Sequence, residues 1–154
     1  MLFSFGPYQI DVDVEKTANF YRNNAIPTSK QCSCNGCQNY DKAILQASPA
    51  ILQFLRDLGI DAQRPGEVFG MTGEVDPNQT YWYSGWYHIV GTLLGRPEEI
   101  KEETQKNCYQ PDPDFDFRVW FTDDRHCMGW IEKEFPEPIL EMSISTHLPW
   151  VIGI

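Results

Sequence analysis

Apolar and polar residues alternate near the start of the chain, where Tyr8, Ile10, Val12 and Val14 are interleaved with Gln9, Asp11 and Asp13. That period of two predicts a half-buried strand. Asp13 then caps a short helix over 15–21, with Glu15 in the first turn near the positive end of the helix dipole. Asn23, Asn24 and Pro27 end it, and a polar loop follows. Beyond the loop the period lengthens. A helix is predicted over 39–47, and another starts at Ser48 and Pro49, an N-cap followed by proline at the first helical position. Ile51, Leu52, Leu55 and Leu58 recur on one face of it with Phe54 beside them, a stripe that belongs to the core. Gly59 stands where a left-handed residue is wanted, and Ile60 can close back onto Leu55 as a Schellman cap.

The second half reads differently. Arg64, Pro65 and Gly66 form a turn; Glu67, Val68 and Phe69 open a strand interrupted by Gly70 and Gly73; Asp76, Pro77, Asn78 and Gln79 form another turn. Residues 81–91 are a strand on composition. Tyr81, Tyr83, Tyr87 and Ile89 share one face, and Trp82, Trp86, His88 and Val90 share the other. Two rich faces predict a central strand covered on both sides, and Gly85 marks a bulge or a close backbone approach. Residues 96–106 hold one apolar residue among many charges. They read as a surface helix, with Glu102 and Lys106 spaced to pair, or as a mobile excursion over 96–110. Phe115, Phe117, Val119 and Phe121 alternate with Asp116, Arg118 and Trp120 as a further strand. Residues 122–127 are a tight connection, 134–138 break regularity, and Leu140, Met142, Ile144 and Thr146 mark a final strand.

Helices early and strands late define an α+β chain, and 154 residues suit one core. The expected architecture is a single domain over 1–154. A mostly antiparallel, twisted sheet carries the helices of the N-terminal half on one face.

Composition narrows the partners. Hydrophobic residues make up 42% and charged residues 22%, which separates the chain from disordered sequences. The net charge of -10 repels phosphate backbones and anionic membranes, so no nucleic acid and no membrane is expected as a partner. An acidic surface suits a basic protein partner, or serves only solubility. No apolar run is long enough for a membrane span, and residues 1–6 lack the basic start and apolar core of a signal peptide. The expected address is cytoplasmic.

Three of the five cysteines fall within six residues, as Cys32, Cys34 and Cys37. An odd, clustered set is a poor disulfide framework. Thiophilic metals want thiolates from a tight turn, and Asn35 and Gly36 permit such a turn ahead of a helix start. Zinc is the expected ion, with Cys127 or His126 as the fourth ligand; Cys108, His88 and His147 are the other soft donors. Ordinary reduced cysteines at a helix start are the reading the residues favour over a metal site. Redox chemistry is weaker, since a polar loop rather than a strand precedes Cys34. The aromatic strand offers Trp82, Trp86 and His88 as a ligand-stacking surface, although alternating aromatics also simply fill sheet cores. Asp112, Asp114 and Asp116 resemble the start of a calcium loop, but Phe117 stands where glycine is needed and Asp123 where glutamate is. No catalytic residue is assigned.

Several stretches together resemble a family of small bacterial proteins, mostly from Gram-positive anaerobes. They are 10–16, the Cys32 to Tyr40 segment with its three cysteines, 58–61, 85–91, 135–138, and Pro149 with Trp150. The resemblance spans nearly the whole chain and implies a cytoplasmic bacterial single domain. It implies no activity or cofactor and carries over no functional residue. The expected function is a non-enzymatic acidic binding protein for a basic protein or a small molecule. The alternative is a zinc or thiol protein centred on the cysteines, followed by an enzyme using His88 in an aromatic cleft.

Overall fold

The computed structural model describes residues 1–24, 26–70, 80–97 and 107–153 of the 154-residue chain. The turn expected at 76–79, Gly73, and residues 98–106 with the Glu102 and Lys106 pair lie outside the described residues. The elements are β1 (Leu2–Phe5), β2 (Tyr8–Val12), α1 (Val14–Asn23), α2 (Thr28–Gln31), α3 (Asn35–Ala43) and α4 (Pro49–Asp57). Four strands follow: β3 (Glu67–Gly70), β4 (Thr80–Gly95), β5 (Phe117–Thr122) and β6 (Ile139–Pro149). All pairings are antiparallel, in the order β1-β2-β4-β6-β5, with β3 also on β4. This is the α+β architecture that the pattern of early helices and late strands predicts. Among the described residues, no helix is long and apolar enough to cross a membrane.

β4 is the spine. One edge pairs with β6 from Thr80↔Pro149 to Val90↔Ile139. On the other edge β3 takes Tyr83 to Trp86 and β2 takes Gly91 to Gly95, which leaves a gap between them. α1 closes that gap with its own polar groups. Asp13 N–H donates to Val90 O at 2.8 Å, Val90 N–H donates to Thr17 Oγ1 at 3.0 Å, and Tyr21 OH donates to His88 O at 2.8 Å. Buried backbone groups that found no strand partner are thereby satisfied. Thr17 is fully buried for this reason.

α3 and α4 cover the tyrosine face of the sheet. Tyr40, Ile44, Ile51 and Leu55 share one buried core with Tyr83 and Tyr87, and Tyr40 stands edge-on to Tyr83 at 5.1 Å. A smaller cluster of Phe20, Val90, Phe135 and Ile139 sits apart from that core. Both faces of β4 are therefore covered around residues 87–90, as its composition predicts.

Local signals act as expected in α4. Ser48 Oγ accepts from Ile51 N–H, Gly59 has φ +84°, and Ile60 N–H donates to Leu55 O at 3.0 Å. In α1, Asp13 Oδ1 accepts from Lys16 N–H, so Val14 begins the helix instead of prolonging the strand.

Other boundaries move. The helix expected over 39–47 starts at Asn35, and its last turn tightens into a 3-10 turn at Ile44–Gln46. β1 is an element the pattern does not predict; its Leu2 is exposed, and it is held by pairing with β2 and by packing of Phe5 against Phe54, Tyr109 and Phe121. The strand expected from Phe115 starts at Phe117, because Phe115 N–H turns back to Asp112 O. Within the excursion expected over 96–110, Arg96 pairs with Asp123 at 3.2 Å, and Tyr109 bridges Val119 through two backbone hydrogen bonds.

Candidate functional site

The cysteines meet at the N-terminus of α3. The sulfurs of Cys32, Cys34 and Cys37 all lie within 4.8 Å of one another, close enough to hold a metal ion. Two backbone hydrogen bonds shape the turn: Cys34 N–H donates to Cys32 Sγ at 3.5 Å, and Cys37 N–H donates to Cys34 Sγ at 3.4 Å. Cys34 is thus the helix N-cap, with sulfur in the place where an oxygen usually sits. Sequence reasoning started α3 too late because thiols are not among the usual capping groups.

The turn is fastened from beneath. Tyr83 OH donates to Gly36 O at 2.7 Å and accepts from Asn39 Nδ2 at 3.1 Å. Asn39 is fully buried; its amide also reaches Pro149 O at 3.1 Å, and its Oδ1 accepts from Val151 N–H at 2.7 Å. A residue of the central strand and one of the helix therefore fix the carbonyl inside the cysteine turn. The sequence pattern marks Tyr83 as core and leaves this second duty unseen.

The thiols differ electrostatically. The N–H of Cys37 leads the groups that hold the Cys34 thiol below its ordinary value, as a helix N-terminus does. Burial pushes the Cys37 thiol well up, reinforced by bonds to Cys34 and Cys32. Cys32 and Cys34 are exposed and Cys37 is buried. A thiophilic cation would meet the more acidic Cys34 thiol at the surface and would have to displace a proton from the less acidic, sheltered Cys37.

Every cysteine and histidine of the chain lies among the described residues, and no other joins this group. The expected fourth ligand is accordingly not supplied by Cys127 or His126. Both sit in the 3-10 turn Arg125–Cys127, where the Cys127 thiol donates to Asp124 Oδ2 at 3.5 Å. Instead the three cysteines line a cavity of about 510 Å³ together with Glu67, Val68, Phe69 and Trp130. Phe69 and Trp130 are 47% and 57% exposed, so the walls are apolar but open to solvent.

The three residues expected as a ligand surface do not form one cleft. Trp82 is partly exposed, donates from Nε1 to Ser145 Oγ at 2.9 Å and lies nearly parallel to His147. His147 is in turn held by Asp116. Trp86 is half-buried and donates from Nε1 to Trp130 O at 3.1 Å. His88 is fully buried, with Nδ1 2.9 Å from Glu132 Oε2 and Nε2 3.0 Å from Glu141 Oε2. Two carboxylates that only accept require both ring nitrogens to donate, which is the imidazolium form. Burial draws the ring toward neutrality, but the hydrogen bonds to Glu132 and Glu141 outweigh it and raise the pKa. Glu141 also accepts from Gly129 N–H at 2.8 Å. This group clamps β4, β6 and the 129–132 segment together.

Fold and site together define a single-domain α+β protein with a three-thiol cluster at a helix start. No protein-family model, curated protein or solved structure matches the chain.

Proposed function

We propose that the protein is a non-enzymatic binding protein that takes a thiophilic metal ion, zinc in the first instance, through Cys32, Cys34 and Cys37. The observation that carries this reading is the mutual approach of the three sulfurs within 4.8 Å on a turn whose backbone N–H groups already point at two of them, those of Cys32 and Cys34. Thiolate ligation needs deprotonated sulfur, and donated N–H groups together with a helix N-terminus favour that state. The fastening of Gly36 O by Tyr83 keeps the turn in shape before any ion arrives. A reducing, cytoplasmic setting, which the bacterial family resemblance also implies, keeps the thiols available.

The test is zinc titration of the reduced chain against a chromophoric chelator. The expected result is one ion per chain with release of protons, lost in Cys34→Ser and kept in Cys108→Ser. Equal, weak binding in both variants would overturn the reading.

A second reading is favoured by the exposed aromatics Phe69, Trp82 and Trp130 on a chain of net charge -10. In it, the acidic surface receives a basic protein partner, and association weakens as salt rises. Binding insensitive to salt would remove its electrostatic basis.

A further inference from the structure

Resting on the proposed metal site, we infer that its fourth coordination position is kept for an external ligand, an uncharged aromatic nitrogen heterocycle of imidazole or benzimidazole type. Structural zinc sites close on four protein donors, whereas sites that receive a ligand keep one position open. Here three sulfurs converge, and none of the chain's other cysteines or histidines has its donor atom in the group. All three cysteines border the cavity of about 510 Å³, a volume in the range that holds small molecules. The open position therefore faces a space with room for more than a water.

The lining selects the class of ligand. Val68, Phe69 and Trp130 offer apolar and aromatic surface on which a flat ring stacks. Among the described residues no lysine or arginine lines the cavity, and its one carboxylate is Glu67. Three thiolates around a divalent ion already leave one net negative charge, and Glu67 adds another. An anionic donor such as a carboxylate or a further thiolate would enter against both charges with no cation to offset them. A neutral nitrogen donor on an aromatic ring adds no charge, meets the aromatic walls and is a good zinc ligand. Its donor atom replaces solvent at the fourth position, and no covalent bond of the chain changes.

Cobalt(II) serves as the probe ion, because its visible bands report tetrahedral coordination and the identity of the donors. The reduced full-length chain is loaded with cobalt and titrated with benzimidazole, then with benzoate. A saturable shift of the cobalt bands is expected with benzimidazole and none with benzoate at the same concentration. Trp130→Ala, an exposed position, is expected to weaken benzimidazole roughly three- to tenfold, the scale of one lost aromatic contact, with cobalt affinity unchanged. Bands that ignore benzimidazole, or already show a nitrogen donor before any is added, would overturn the inference while leaving the metal site standing. A chain that takes up no cobalt would overturn the metal site and this inference together.

Discussion

The cysteine turn and the His88 clamp both gather ionisable groups against the same strand, and they differ in how completely those groups are satisfied. His88 has a carboxylate on each ring nitrogen, and Glu141 has a further backbone donor. The cluster is sealed: His88 is fully buried and Glu141 is 3% exposed. The cysteine turn has its backbone fixed by Tyr83 and Asn39, yet its sulfurs meet one another beside an open cavity. A buried charge with every partner in place holds a structure together. A prearranged set of donors with an unfilled direction is poised to bind something from outside.

The largest effects are expected when one ligand is removed from each region. Cys37→Ser takes away one of three sulfurs, and zinc affinity is expected to fall by more than the roughly 10- to 100-fold typical of a change just outside the ligand shell. Chelator competition measures it. His88→Ala leaves Glu132 and Glu141 without their shared cation, at a cost of about 3–5 kcal/mol in folding stability. Denaturant unfolding reads that loss, and zinc affinity in the surviving folded fraction is expected to stay as it was. A His88→Ala chain with unaltered stability would contradict the structural role assigned to the clamp.

The two regions were legible in the sequence to different degrees, for a physical reason. Cys32, Cys34 and Cys37 are neighbours in the chain, so a tight turn suffices to bring them together. The partners of His88 lie 44 and 53 residues away, on segments that meet it only once β4 and β6 pair in the observed register. The cavity is equally non-local, since Glu67, Phe69 and Trp130 reach the cysteines through β3 and the crossing segment near Trp130. The same divide runs through the fold. Ser48, Pro49 and Gly59 delimit α4 with local chemistry and were readable, whereas β1 rests on pairing with β2 and on non-local packing of Phe5 against Phe54 and Tyr109. The full length of β4, out to Gly95, likewise follows from pairing with β2. Trp82, Trp86 and His88 alternate correctly on one face, yet alternation says nothing of the 129–132 segment that covers two of them.

Smaller effects sharpen the contrast. The His88 pKa is raised in the folded state, so the imidazolium contributes its full stability below the ordinary value of 6.5, and that contribution is lost as pH rises through the higher folded value. Tyr21, whose hydroxyl bonds His88 O, is held neutral by burial and does not compete in this range. Unfolding midpoints measured from slightly acid to alkaline pH are expected to decline for the native chain. They should decline less for His88→Gln, which keeps polar contacts without the charge. A matching decline in both would assign the pH dependence elsewhere.

Tyr83→Phe removes the hydrogen bond to Gly36 O and leaves the ring in the core, so stability should drop by about 1–2 kcal/mol. Zinc affinity should fall about tenfold, as for a lost supporting partner. Tyr21→Phe, which removes the hydroxyl of α1 that donates to His88 O, is the control. It should affect stability to a similar extent and spare the metal. Equal effects of the two variants on zinc affinity would remove Tyr83 from the site.

The most direct test of the central claim is the metal content of untagged protein purified without chelator, read by mass spectrometry with the reactive thiols counted alongside. About one thiophilic ion per chain is expected, with Cys32, Cys34 and Cys37 protected from alkylation and Cys108 and Cys127 outside that protection. Metal-free protein that stays empty when zinc is supplied, with all three clustered thiols reacting freely, would contradict that claim.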